Sequence, residues 1–250
     1  MSFPDHFSTV TDSYQRYRPN YPQQLFDIIL KNTNNRDSLW DAGCGTGQAI
    51  HVLAKHFSRS LGTDPSESQI KKAQASYPGL DFRVQMSEAC NLPDKSCSLI
   101  TAAQAIHWFK LDKFYQQVKR VSQKNGVIAF WCYGLHKLPG HLNEILQFFY
   151  QNILGKYWPP QRRLIDEGYE SLPKPFQKIE YFPLNMTKEM DLNQYLGYVN
   201  TWSAIQSYRL AVNDDDPLAL FSESLLGLWG KPEDKQLIDF PLHLYLCRVH

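Results

Sequence analysis

The chain has 250 residues, with Lys+Arg 26 against Asp+Glu 25 and a formal net charge of +1. That length suits one α/β domain with a full core, and the even charge offers no global attraction for nucleic acid or an anionic membrane. The five cysteines, Cys44, Cys90, Cys97, Cys132 and Cys247, are scattered with no C-x-x-C pair, which argues against a metal site or a disulfide scaffold.

The start, Met1-Ser2-Phe3-Pro4-Asp5-His6, is polar and lacks the apolar centre of a signal peptide. No apolar run approaches the roughly 18 residues of a membrane span, so a cytoplasmic protein is expected. A polar and aromatic segment, 1–22, ends in Tyr14-Gln15-Arg16-Tyr17-Arg18-Pro19-Asn20-Tyr21-Pro22. Two prolines then open a helix over 23–31, with Leu25, Phe26, Ile29 and Leu30 at helical spacing. A buried strand ends at Asp41, and 48–57 reads as a helix. A second strand, 59–63, delivers Asp64, followed by Pro65 and a helix over 66–77. Strands at 81–85 and 98–103, a helix at 111–122 and a strand at 126–131 complete the regular part. That last strand is continuously apolar, as a central parallel strand should be. Alternation of strand and helix at this pitch means right-handed βαβ units and an open sheet covered on both faces.

After Tyr133 the rhythm changes. Residues 140–172 read as helices interrupted by Trp158-Pro159-Pro160. A strand over 177–185, helices over 191–202 and 216–228, and a strand over 242–249 follow. The two late strands suggest an antiparallel hairpin at the sheet edge. The short basic clusters Lys71-Lys72 and Arg162-Arg163 read as solvated faces.

The stretch that carries chemistry is Asp41-Ala42-Gly43-Cys44-Gly45-Thr46-Gly47. A strand running into close glycines and then a helix is a nucleotide-binding turn, because glycine lets backbone approach a ligand that a Cβ would exclude. Its spacing is G-x-G-x-G, since Gln48 occupies the next position, and not the G-x-G-x-x-G of dinucleotide enzymes. Asp41 would repel a pyrophosphate and suits a cationic amino-acid ligand, either holding the turn or attracting an ammonium group through water. This points to S-adenosylmethionine. Asp64, at the end of the second strand, is placed to accept two hydrogen bonds from ribose hydroxyls; its alternative role is an acid at the next helix N-terminus. The Gln104 carbonyl, at the end of the fourth strand, is available to the ammonium group.

These residues resemble the first motif, D-x-G-C-G-x-G, of the class I S-adenosylmethionine-dependent methyltransferases. More narrowly they resemble the small-molecule branch that includes trans-aconitate methyltransferases, over roughly residues 5–133. The resemblance implies a Rossmann-like, seven-stranded doubly wound α/β sheet with an antiparallel C-terminal edge strand and a helical lid. Within one methyltransferase domain, 1–22 would cover the cofactor, 23–133 would bind it, 134–175 and 190–230 would form the lid, and 176–186 and 240–250 the edge strands. It places Asp64, Pro65, Gly43, Gly45 and Gly47 around the cofactor, with Glu88-Ala89 on its adenine. Cys90 departs from the branch's usual Glu. Ala-x-Ala-x-His-Trp-Phe is typical of the branch, so His107 and Trp108 would face the transferred methyl. Arg18 would pair with the cofactor carboxylate. Tyr14, Tyr133, Tyr198 and Trp202 would line the acceptor pocket.

The expected reaction is in-line methyl transfer to a small molecule, through oxygen, with the nucleophile about 3 Å from the methyl. A carboxylate would need no base, whereas a phenol, amine or alcohol would call on His107. The absence of Asn-Pro-Pro-Tyr argues against DNA methylation. A nicotinamide-dependent oxidoreductase and a cofactor-binding protein without turnover stand as alternatives, and monomer and homodimer both stay open.

Overall fold

Residues 17–212 and 216–250 are described by the computed structural model; Tyr14 and most of the expected cofactor-covering segment lie outside them. In chain order the regular elements are α1 (Gln23–Lys31), β1 (Ser38–Ala42), α2 (Ile50–Leu53), β2 (Arg59–Asp64), α3 (Glu67–Ser76), β3 (Asp81–Val84), β4 (Cys97–Ala103), α4 (Leu111–Val121) and β5 (Ser122–Tyr133). Then come α5 (Leu142–Phe148), α6 (Arg162–Asp166), β6 (Gln177–Met190), α7 (Leu192–Val199), α8 (Ser203–Ala211), α9 (Pro217–Trp229) and β7 (Gln236–Arg248). The sheet is seven-stranded in the order β3-β2-β1-β4-β5-β7-β6. Strands β1 to β5 pair parallel, whereas β7 pairs antiparallel with both β5 and β6. This is the Rossmann-like methyltransferase architecture with antiparallel C-terminal strands.

The central strands are apolar on both faces, and successive side chains divide between two cores. Leu39, Leu99, Val127, Ala129 and Trp131 pack into one. Their neighbours Trp40, Ile100, Ile128, Phe130 and Cys132 pack into the other. That is the period of two expected of a strand buried on both sides. Helix α4 seals the second core with Phe114, Tyr115, Val118 and Val121, a stripe at helical spacing. Strand order reverses between β1 and β4, so their carboxyl ends open a crevice.

The edge differs from expectation. Strand β6 runs on to Met190 and β7 begins at Gln236, giving a longer hairpin than composition suggests. Lys188 and Glu189 are weak strand formers, but Met186 and Met190 are buried, and Met186 sits opposite Phe240. Cross-strand burial overrides intrinsic preference here. Strand β6 is the edge, and its Lys178, Pro183 and Lys188 suit that place. The helix expected over 191–202 ends at Val199, and a separate helix follows from Ser203 to Ala211. The Thr201 hydroxyl donates to the Tyr198 carbonyl at 2.7 Å and Trp202 is extended, so the chain turns between the two.

Helices α5, α7 and α8 pack against α9 in a layer of their own, while Ile165 on α6 packs into the second core. Phe149 stacks on Phe221 at 4.0 Å, and Tyr195 on Trp229 at 5.4 Å. No helix among the described residues is long and apolar enough to cross a membrane.

Candidate active site

The turn after β1 is tied to β2: the amides of Gly43 and Cys44 both donate to the Thr63 carbonyl, at 2.8 and 2.9 Å. Gly45 has φ +53°, and a Cβ there would meet nothing nearer than Gln69 Oε1 at 3.9 Å, so its open side faces the crevice. Gly47 does something different. Its missing Cβ is required by the Phe82 ring, which would lie 2.9 Å away, so it serves packing under the turn. Asp64 Oδ2 accepts from the Gly45 amide at 3.0 Å, and Oδ1 from the Ser66 amide at 2.9 Å. One carboxylate therefore fixes both the glycine turn and the entry to α3.

Around this turn lies a cavity of ≈ 270 Å³, whose wall includes Gly43, Gly45, Asp64, Pro65, Glu88 and Gln104. Glu88 Oε1 accepts from the Lys110 amide at 2.8 Å, closing the wall between the turns after β3 and β4. Gln104 adopts φ +51°, held by its own amide to Trp131 O at 2.9 Å and its Nε2 to Tyr133 O at 3.1 Å. Its buried Oε1 meets no donor among the described residues. An acid at the end of β2, an unsatisfied acceptor after β4 and an open glycine between them fit a ligand with vicinal hydroxyls and an ammonium group. S-adenosylmethionine is such a ligand.

Four expected cofactor residues lie outside this wall: Gly47, which packs under the turn, Arg18, which lines the neighbouring cavity, and Asp41 and Ala89. Asp41 is fully buried beside Thr101, whose hydroxyl donates to Oδ1 at 2.6 Å. Burial, resisted by that hydrogen bond and reinforced by Asp64, raises its pKa to about 7. It stiffens the β1–β4 junction from within the sheet. Ala89 is exposed, and its amide donates to Met86 O at 3.2 Å, so the local turn uses the group expected to face adenine.

A second cavity adjoins the first across Gln104 and Trp108, which line both. It collects Arg18, His107, Tyr133, Tyr198 and Trp202, together with Trp158 and Arg162. Arg18 Nη1 donates to the Tyr133 hydroxyl at 2.9 Å. His107 is buried, with Nδ1 2.6 Å from the Tyr169 hydroxyl. Burial first, then the charges of Arg162 and Arg18, lower its pKa to about 3. At neutral pH it is an uncharged imidazole and a very weak base.

Arg162 corrects the expectation of a solvated basic pair. Arg163 is 81% exposed and pairs with Glu167, but the Arg162 side chain is only 18% exposed. Its guanidinium lies over the Trp158 ring at 4.7 Å and the Tyr150 ring at 5.2 Å. Neighbouring residues on a short helix point about 100° apart, so one faces water and the other the cavity. Trp158-Pro159-Pro160, which reads as a helix break, was the available signal: it turns the chain so that α6 presents Arg162 inward.

A family model for the methyltransferase domain matches residues 40–130. A Dictyostelium discoideum protein named as a methyltransferase is 34% identical over 253 residues, spanning 98% of this chain and 95% of that protein. A Saccharomyces cerevisiae protein named as an S-adenosylmethionine-dependent methyltransferase is 30% identical over 274 residues, 94% of each chain. The solved structure of a type II methyltransferase from Anaeromyxobacter dehalogenans is similar with TM-score 0.84 and 35% identity, covering 94% of this chain and 100% of that one. With the glycine turn, Asp64 and the seven-stranded sheet in place, the chain belongs to the S-adenosylmethionine-dependent methyltransferases.

Proposed function

We propose that this enzyme transfers the methyl group to an oxygen of a small acceptor that arrives as a carboxylate. The observation that carries this reading is the second cavity, where two guanidinium groups, Arg18 and Arg162, meet aromatic walls beside the cofactor cavity. Such a lining suits an organic anion with apolar bulk. When bound, S-adenosylmethionine supplies a methyl group already activated for displacement. In this reading Asp64 accepts from its ribose hydroxyls, Gln104 from its ammonium group, and Glu88 and Pro65 flank its adenosine. Arg18 stands at the boundary between cofactor and acceptor. Trp108, on the shared wall, orients the acceptor and excludes water.

His107 keeps its place in the acceptor cavity as a neutral polar group. Its low pKa disfavours proton abstraction from an alcohol or phenol, and a carboxylate needs none. This agrees with the narrower likeness to the branch that includes trans-aconitate methyltransferases. The segments 134–175 and 190–230 would act as the lid, since Trp158, Arg162, Tyr198 and Trp202 all come from them. Release of S-adenosylhomocysteine during incubation with matched acids, phenols and amines tests the proposal. Turnover confined to acids is expected; turnover confined to amines, or with no acceptor at all, would overturn it.

A further inference from the structure

The second cavity has two ends. Gln104 and Trp108 lie on the wall shared with the cofactor cavity, whereas Arg162 lines only the acceptor side. Among the described residues, both hydrogen bonds that its guanidinium makes leave from Nε: to the Tyr150 hydroxyl at 2.6 Å and to Asp166 Oδ1 at 3.0 Å. The Nη pair, the fork suited to a planar oxyanion, is used by neither. Tyr150 reaches Arg162 because the chain leaves α5 through a π-helical turn, Phe149–Ile153, a device often found where a side chain is re-aimed for function. The Tyr150 hydroxyl also donates to Asp166 Oδ1 at 2.7 Å, closing a three-residue clamp. The Trp158 ring lies beneath the guanidinium. A side chain anchored at Nε and stacked on its face is pre-organised, so little entropy is lost when the fork engages a ligand.

We propose that Arg162 determines acceptor specificity by holding an oxyanion, carboxylate or phosphate, separate from the oxygen that is methylated. The inference rests on the acceptor reading given above. Two points separate anchor from nucleophile. Arg162 is not on the wall shared with the cofactor cavity. A bidentate guanidinium on the reacting carboxylate would also stabilise the charge that methylation removes, favouring ground state over transition state. The acceptor class is therefore a small molecule with two acidic groups, one anchored and one reacting. Tyr150 and Asp166 are positioning residues for the anchor.

Calorimetric titration of the protein loaded with S-adenosylhomocysteine tests this, using succinate, succinamate and 3-phosphonopropionate as probes. Succinamate keeps the shape of succinate but replaces one carboxylate by an amide. Wild type is expected to bind succinate at least about tenfold more tightly than succinamate, as one charge-assisted pair provides. Arg162→Gln should level the two, Arg162→Lys should restore part of the preference, and Asp166→Asn should weaken it without abolishing it. S-adenosylhomocysteine affinity should stay unchanged in all three. The phosphonate probe identifies the anchor: tighter than succinate means phosphate, weaker means carboxylate. Binding of neither probe by wild type, equal binding of succinate and succinamate, or an intact preference in Arg162→Gln would overturn the inference. A succinate preference that depends on Arg162, in an enzyme releasing no S-adenosylhomocysteine with any acid, would instead sink the functional reading and leave the anchor standing.

Discussion

The cavity proposed for the cofactor takes most of its wall from the turns that follow β1, β2, β3 and β4, whereas the one proposed for the acceptor takes Trp158, Arg162, Tyr198 and Trp202 from the segments after β5. In the first, backbone geometry would do the recognition in the proposed reading: a glycine at positive φ, an aspartate holding two amides, a strained glutamine. In the second, side chains reach in from short helices and are held by one another, as Arg162 is by Tyr150 and Trp158. A site made of turns is as rigid as the sheet beneath it. One made of side chains can change its ligand by changing a few residues, which is how a shared fold serves different acceptors.

The contrast can be broken by substitutions confined to one side. The largest effect is expected from Gly45→Val, which forces a β-branched residue to φ +53° and fills the open side of the turn. Binding of S-adenosylhomocysteine should become undetectable by calorimetry, while circular dichroism confirms that the sheet persists. Trp158→Ala removes the ring beneath Arg162 and should raise the acceptor KM about tenfold, roughly 1.4 kcal/mol. The S-adenosylhomocysteine Kd should not move, and steady-state kinetics with calorimetry reads both.

The next effect is on stability. His107 and His136 are both buried, the latter against Tyr195 and Trp202. Burial first, then Arg162, lowers the pKa of His136 to about 3, as burial and both arginines lower that of His107. Both are neutral in the fold and take up a proton on unfolding below the ordinary value of about 6.5. Their contribution is present above that pH and is lost as pH falls toward 3, each with a slope of about 1.4 kcal/mol per unit. Asp41 runs the other way: with its pKa raised to about 7, its contribution is full below the ordinary carboxylate range and lost as pH rises through 7. The net effect between about pH 4 and 6.5 is a Tm that falls with acidification. His136→Gln should flatten that fall and Asp41→Asn should steepen it. A Tm profile unchanged in both would contradict the assignment.

The smallest effect concerns the strap that carries Arg18. Lys188 on β6 donates to the carbonyls of Tyr17 and Arg18, at 3.0 and 3.3 Å. Lys188→Met should raise the acceptor KM only about two- to threefold, in line with two exchanged hydrogen bonds on a half-buried group.

How much of this was legible in the sequence follows the same division. The alternation of strand and helix, the glycine turn and Asp64 are encoded locally, because a turn needs particular residues at fixed offsets. Ala89 misled for a local reason too: its amide is used within its own turn, a detail of backbone geometry that no motif carries. Arg162 was only partly legible: the proline break beside it shows in the sequence, but its partners Tyr150, Trp158 and Asp166 are brought together by a π-helical turn and by packing. Beside Arg163 it reads as a surface pair, and only the packing of α6 separates the two. The extent of β6 was hidden similarly, since Met186 and Met190 declare themselves only opposite β7.

The division between the two cavities is tested most directly by titrating S-adenosylhomocysteine into wild type, Asp64→Ala and Asp64→Asn. Wild-type binding, a loss of about 100-fold in Asp64→Ala and a smaller loss in Asp64→Asn, which keeps one acceptor oxygen, are expected from two charge-assisted hydrogen bonds. An affinity unchanged by Asp64→Ala, or no binding by wild type, would contradict a cofactor site built on the turns of the sheet.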